Sequence, residues 1–294
     1  MNNNILKFLI KESVVTSLLE GQFEKRKYTL RQAVDQIKNR VIIFFDTETT
    51  GLSPKAYYRL ITEIAAVAYD TSTGERLGEY NKKAILSRAV HNRMKYEKER
   101  VAAGTWDEKQ PDPAKKRKTL EDILKMTAYE EGDTPKIEEK EMMQGFLDFV
   151  NQFSDRNPIL CAHNAKFDMY QIGKALEVSG LPKMPTYRVV DSLILSRNYL
   201  TPLLQAQEGA AKGAGQDVDP DAAKILKILR PDNRRFVNRL GDLGKAFEVD
   251  TKHWHSAIAD TEQLAGILAK MVQYFEGHQD IELPPMPPPR PRRR

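Results

Sequence analysis

From Val41 the chain reads Val-Ile-Ile-Phe-Phe and passes at once into Asp46-Thr-Glu48-Thr-Thr-Gly51. A short apolar run of β-branched and aromatic residues that stops at polar residues and a glycine predicts a buried strand ending where the carboxylates begin. Residues two apart on a strand share a face, so Asp46 and Glu48 project to one side and Thr47 to the other. Two carboxylates held together repel, and the pair implies either a shared proton or a bound divalent cation. Hard oxygen ligands favour Mg²⁺ or Mn²⁺. Asp-x-Glu also occurs as a plain strand end, so the pair by itself leaves both readings open.

Two further segments repeat the pattern of apolar residues meeting an acidic one. Pro158-Ile-Leu-Cys161-Ala-His163-Asn164-Ala-Lys-Phe167-Asp168 is a second short strand running into a turn, with Met169 to Leu176 at helical spacing behind it. Asp168 therefore opens a helix, a place where an aspartate also serves simply as a cap. His253-Trp-His255-Ser-Ala-Ile-Ala-Asp260 begins as a loop and becomes an amphipathic helix with Leu264, Ile267, Leu268 and Met271 on its apolar side. Five residues along a regular helix separate two side chains by about 140°. His255 and Asp260 thus face one site only if His255 stands on the loop or the first turn.

Together these segments resemble the DEDDh subgroup of 3′-5′ exonucleases, the superfamily that includes the proofreading (epsilon) subunit of bacterial DNA polymerase III, ribonuclease T and oligoribonuclease. The motifs that carry the resemblance are Asp46-Thr-Glu48-Thr-Thr-Gly51, Asn164-Ala-Lys-Phe167-Asp168, and His255 followed five positions later by Asp260. In the sister subgroup a tyrosine stands four residues before the last aspartate. Here that position is Ser256, which favours the histidine-type site. Tyr187 to Arg197, with Asp191, is similar to the family's strand before its last helices, and Asp191 is left out of the metal set. Arg239 to Phe247 looks like the short helix before the last motif and is read as core packed on the sheet.

The resemblance implies an α/β, ribonuclease-H-like fold: a mixed five-stranded sheet flanked by helices, with three antiparallel strands first. It implies two ions, Mg²⁺ or Mn²⁺, held by Asp46, Glu48, Asp168 and Asp260 roughly 3.5–4 Å apart, with His255 as the base that deprotonates water. Thr49, Gly51, Leu52, Asn164 and Phe167 are the expected contacts of the terminal nucleotide. The expected reaction is removal of nucleoside 5′-monophosphates from single-stranded DNA or a DNA 3′ end, in proofreading or DNA processing, with a polymerase or other replication partner in trans. RNA is the alternative substrate, through an enzyme of the oligoribonuclease or ribonuclease T type. A third reading is an inactive nucleic-acid-binding module of a polymerase assembly.

Bulk properties agree. A chain of 294 residues with 40% hydrophobic composition buries a full core. The single cysteine, Cys161, falls in an apolar run, which excludes a disulfide framework and points to a reducing interior. No apolar run of about 18 residues occurs, so no membrane association is expected and the chain is expected to be cytoplasmic. The net charge of +5 is uneven: eight basic and four acidic residues among 1–40 leave +4, and four basic and two acidic among 277–294 leave +2. Basic ends add sequence-independent attraction for a phosphate backbone.

The expected organisation is a helical N-terminal extension over 1–40, an exonuclease domain over 41–276 and a Pro/Arg-rich flexible tail over 277–294. A Gly/Ala/Asp/Pro tract at 205–235 reads as an insertion. Within the domain, Ile61 to Tyr69 reads as a second strand, Asp70 to Gly74 as a turn, and Tyr80 to Leu86 as a third strand. The charged stretch Ser87 to Thr119, with Lys115 to Lys118, reads as solvated surface or a backbone grip. Glu138 to Phe153 reads as a helix with Met142, Phe146, Phe149 and Val150 inward.

Overall fold

The computed structural model describes residues 28–49, 60–85, 88–89, 95–96, 99, 102–103, 136–233, 235–249 and 256–284. The helices expected before Tyr28, the Lys115 to Lys118 cluster, Gly51, Leu52, His253, His255 and the tail from 285 lie outside the described residues. The chain divides into two compact units, one of residues 40–189 with 253–262, the other of 1–39, 190–252 and 263–294.

The first unit is built on the sheet. The strands of the sheet are Val41–Thr49 (β1), Ile61–Asp70 (β2), Glu75–Ala84 (β3), Lys136–Ile137 (β4), Ile159–Ala162 (β5) and Arg188–Asp191 (β6, whose last two residues are counted with the second unit), in the spatial order β4-β3-β2-β1-β5-β6. β1 is antiparallel to β2 and parallel to β5; β3 is antiparallel to β2 and parallel to β4. This is the expected mixed sheet with six strands rather than five. The extra one, Lys136–Ile137, has two residues, too few for any alternation to register in the sequence. β3 starts at Glu75, earlier than Tyr80, because the turn closes at once: Gly74 takes φ +74 and its N–H donates to Asp70 O at 2.8 Å. The polar residues that follow, Glu75 and Arg76, are exposed on the strand and hid its onset.

Alternation along β1 sorts its side chains as a pleated strand requires. Val41, Ile43 and Phe45 join Ile64, Ala66 and Ala68 of β2 in a core closed by helices Glu139–Asn151 (α2) and Ala165–Val178 (α3). α2 contributes Met142, Phe146, Phe149 and Val150, the residues expected to face inward, and α3 contributes Ile172, Ala175 and Leu176. Each fully buried Val, Leu, Ile, Phe or Met among them stabilises by about 1.5–3 kcal/mol. Tyr80 spans the seam: its hydroxyl donates to Met142 O at 2.7 Å while its ring leans on Phe146 and Phe149. Cys161 is buried in β5.

The second unit is helical. Leu30–Asp35 (α1) starts at a capping box in which Thr29 N–H donates to Gln32 Oε1 (2.9 Å) and the Thr29 hydroxyl accepts from Gln32 N–H (3.3 Å). Ser192–Leu195 (α4) runs through a π turn, Ser196–Leu200, into Thr201–Ala214 (α5); Pro220–Leu229 (α6), Leu240–Ala246 (α7) and the body of Ala257–Glu276 (α8) complete it. Its core gathers Leu30 and Val34, Leu203 and Leu204, Ile225 and Leu229, Leu243 and Phe247, and Ile267, Met271 and Phe275. Leu243 and Phe247, read in the sequence as packed on the sheet, thus belong to this helical core. The tract at 205–235 is mostly α5 and α6, and Ala222, Ile225, Leu226 and Leu229 are buried in the same core. Among the described residues no helix is long and apolar enough to cross a membrane.

Candidate metal centre

The site forms where β1 leaves the core. Asp46 and Glu48 share the face of Ile42 and Phe44, opposite the α2 and α3 side, and the β1–β2 register slips between Glu48 and Thr49. Such an irregularity re-aims side chains at a strand end. Asp260 reaches the same place from the first turn of α8. That turn is fixed locally: the Ser256 hydroxyl accepts from Ala259 N–H at 3.3 Å, and Asp260 N–H donates to Ser256 O at 3.0 Å.

Carboxylate oxygens of Asp46, Glu48 and Asp260 lie within 4.8 Å of one another, and all three residues are partly buried. Unit charges at that spacing near a protein surface repel by about 3 kcal/mol per pair. The strain shows at Asp46, whose carboxyl is held well above the usual carboxylate range by burial first, then by Asp168, Glu48, Asp260 and Glu63. Such a group of acids is stable only with a proton or a cation among them.

Asp168 is nearly buried, at 3% exposure. It lies on the first turn of α3, whose N-cap Asn164 adopts φ +69, a left-handed conformation that asparagine tolerates better than most residues. One oxygen of Asp168, Oδ1, accepts from both the Thr47 backbone N–H (3.2 Å) and the Thr47 hydroxyl (2.6 Å). Thr47 does point away from Asp46 and Glu48, and in doing so it meets α3 and ties Asp168 to β1. Of the expected nucleotide contacts, Thr49 ends β1, Asn164 is exposed and Phe167 is half-buried on α3. Asp191 accepts from Leu193 N–H (3.0 Å) and Ile194 N–H (3.4 Å) and so caps α4.

Two residues not singled out in the sequence belong to this neighbourhood. One is Thr47. The other is Glu63 of β2, directly opposite Glu48 in the β1–β2 pairing and only 4% exposed. Its carboxyl is also raised, by burial and by Glu48, against the lowering effect of Lys83 and of donors from Ala257 and Asn81. A charged residue inside Ile61-Thr-Glu-Ile-Ala-Ala-Val was the available signal.

Residues 41–271 match the family model described as the 3′-5′ exoribonuclease Rv2179c-like domain. The chain belongs to this family. It therefore stands among the 3′-5′ exonucleases, as the DEDDh motifs implied. No curated protein matches this Rv2179c-like chain. Among solved structures, E. coli Exonuclease I in complex with a dT13 oligonucleotide is similar at 14% identity and a TM-score of 0.44, over 81% of this chain and 42% of that one. Exonuclease I from Methylocaldum szegediense gives 14% and 0.40, over 82% and 42%. Cell-death related nuclease 4 (CRN-4) gives 13% and 0.41, over 80% and 64%. The Rv2179c-like chain thus spans 42% of the length of these Exonuclease I chains.

Proposed function

We propose that this Rv2179c-like chain is a divalent-cation-dependent 3′-5′ exonuclease acting on RNA 3′ ends, with Asp46, Glu48, Asp168 and Asp260 as the ligands of two Mg²⁺ or Mn²⁺ ions. The observation that carries the reading is the convergence of Asp46, Glu48 and Asp260 within 4.8 Å from a strand and a helix more than 200 residues apart. The donor set is all carboxylate oxygen, which suits hard divalent cations. The raised carboxyl of Asp46 marks a group that gains from a neighbouring positive charge.

When bound, such ions acidify the attacking water and offset charge building on the phosphate and the leaving 3′ oxygen. The chain's own residues do the rest. Thr47 holds Asp168 oriented through Oδ1. Ser256 fixes the turn that presents Asp260. His255, one residue before that turn in the sequence, takes the proton of the attacking water. Thr49, Gly51, Leu52, Asn164 and Phe167 receive the terminal nucleotide, and a nucleoside 5′-monophosphate leaves.

The family's description supports RNA, the alternative to the DNA expected in the sequence, and the RNA 2′-hydroxyl offers both a donor and an acceptor. Degradation of matched 5′-labelled single-stranded RNA and DNA with Mg²⁺ or Mn²⁺ tests this. RNA is expected to shorten faster, from its 3′ end, with activity lost in chelator. His255→Ala is expected to slow turnover by about 10². Faster DNA degradation would return the substrate to DNA, and activity that survives chelation would sink the metal reading.

A further inference from the structure

We infer that Tyr170 is a base-stacking residue for single-stranded RNA, receiving the nucleotide next to the terminal one at the 3′ end. The inference rests on the exonuclease reading above and adds to it a second nucleotide position, outside the metal ligands and the expected contacts of the terminal nucleotide.

Among the described residues, Tyr28 and Tyr170 are the exposed large hydrophobics, at 41% and 59%. A single exposed aromatic is ordinary on a surface. The surroundings of Tyr170 set it apart. It stands on α3, two residues after Asp168. With 3.6 residues per turn, Phe167 lies about 100° around the helix from Asp168 and Tyr170 about 160° in the same sense. A strand that leaves the metal centre past Phe167 therefore meets Tyr170 next. Residues three apart on a helix are neighbours, with about 5–6 Å between Cβ atoms, a reach that two consecutive unstacked nucleotides can span. Helix side chains also tilt toward the N-terminal end, which in α3 is the end that carries Asp168.

The neighbours of Tyr170 on the helix surface are Lys166 and Phe167 one turn before it and Gly173 and Lys174 one turn after. Lys166 is exposed. Lys174 is partly exposed, with its ammonium 3.0 Å from Glu177, an exposed pair of little net strength. Two cations thus flank the ring. Gly173 places no side chain beside it, and a Cβ built there meets nothing within 4 Å, so a flat group has room to lie. Single-strand binding sites combine these parts, positive charge for the backbone and an aromatic face for a base. Such stacking is indifferent to the identity of the base but needs it unpaired and splayed out. A protein partner would call for a contiguous apolar patch, whereas Tyr170 is a lone ring between lysines.

The test uses the full chain as wild type, Tyr170→Phe and Tyr170→Ala, with two matched 5′-labelled single-stranded oligoribonucleotides. One is complete and the other carries an abasic ribose at the nucleotide before the last. Release of the first nucleotide gives kcat and KM. Tyr170→Ala is expected to raise KM for the complete strand by about 5–150-fold, with kcat within about twofold. The abasic strand is expected to impose a similar rise on wild type and to add little in Tyr170→Ala, because ring and base are removed from the same contact. Tyr170→Phe keeps the ring and is expected to keep most of the affinity. The alanine form is expected to melt with wild type, since the ring is exposed; should it melt early, Tyr170→Leu, apolar but without a π face, takes its place. An unchanged KM in Tyr170→Ala overturns the proposal, as does an abasic penalty equal in both forms or a phenylalanine form as impaired as the alanine form. A fall in kcat at unchanged KM overturns it as well. A wild-type chain that cleaves nothing defeats the exonuclease reading. Anisotropy of the same intact strand then decides Tyr170: weaker binding in Tyr170→Ala supports the stack, and equal binding removes it.

Discussion

Asp46 is the residue on which stability and function pull apart. Its folded carboxyl sits above the unfolded value, so between those two values the folded state holds more proton than the unfolded one. The ion-free chain is therefore expected to lose stability as pH rises from about 4, and the raised carboxyl of Glu63 acts in the same direction. Urea unfolding in chelator across that range checks the slope; a rise in stability with pH assignable to this cluster would contradict it. Asp46→Asn removes the charge at its most crowded point. That variant is expected to be at least as stable as wild type in chelator, yet to lose more turnover than the roughly 10–100-fold typical of groups behind the ligands. Thr47 is the counterpart behind the site. Thr47→Val keeps the shape and the backbone N–H to Asp168 but removes the 2.6 Å hydroxyl bond. The expected cost is about 1–3 kcal/mol of stability and roughly tenfold in activity, read by urea unfolding and by single-turnover kinetics.

Among the elements, α2 lies so close to β3 that its packing depends on a missing side chain. A Cβ built on Gly145 would stand 2.7 Å from Tyr80 Oη and 2.9 Å from Tyr80 Cε2. The ring cannot easily yield, because it leans on Phe146 and Phe149 and its hydroxyl is committed to Met142 O. Gly145→Ala, which in an open helix would stabilise, is expected here to destabilise by about 1–3 kcal/mol. Chemical denaturation of that variant beside Tyr80→Phe tells the contact from the hydroxyl bond, and a stabilised Gly145→Ala would mean the helix stands farther off. The elements most legible in the sequence were those with a strong period. β1 and β2 are apolar and β-branched, α2 carries Met142, Phe146, Phe149 and Val150 on one face, and the apolar stripe of α8 is buried as read. β4 and the start of β3 escaped because short or solvent-facing polar segments carry no burial pattern.

For the molecule as a whole, the metal reading has a thermodynamic signature that needs no substrate. A ligand that binds only the folded chain stabilises it, by about 2.7 kcal/mol at a hundredfold excess over Kd, which for a chain of this size is a rise of roughly 5 °C in Tm. Mn²⁺ is expected to produce that rise in wild type and not in Asp46→Asn. A melting temperature indifferent to Mn²⁺ would mean the carboxylates settle their repulsion with a proton instead. The sequence by itself determined the mixed α/β sheet and the family, together with the acids that would gather at one end of β1. These follow from local pattern and motif spacing, and a strand's alternation already decides that Asp46 and Glu48 share a side. Only the tertiary structure decided that Thr47, turned away from the site, would orient Asp168, and that Glu63 would lie buried opposite Glu48. It also put Leu243 and Phe247 into the helical core. Those facts depend on which element packs against which face, and no residue's own neighbours in the chain carry that information.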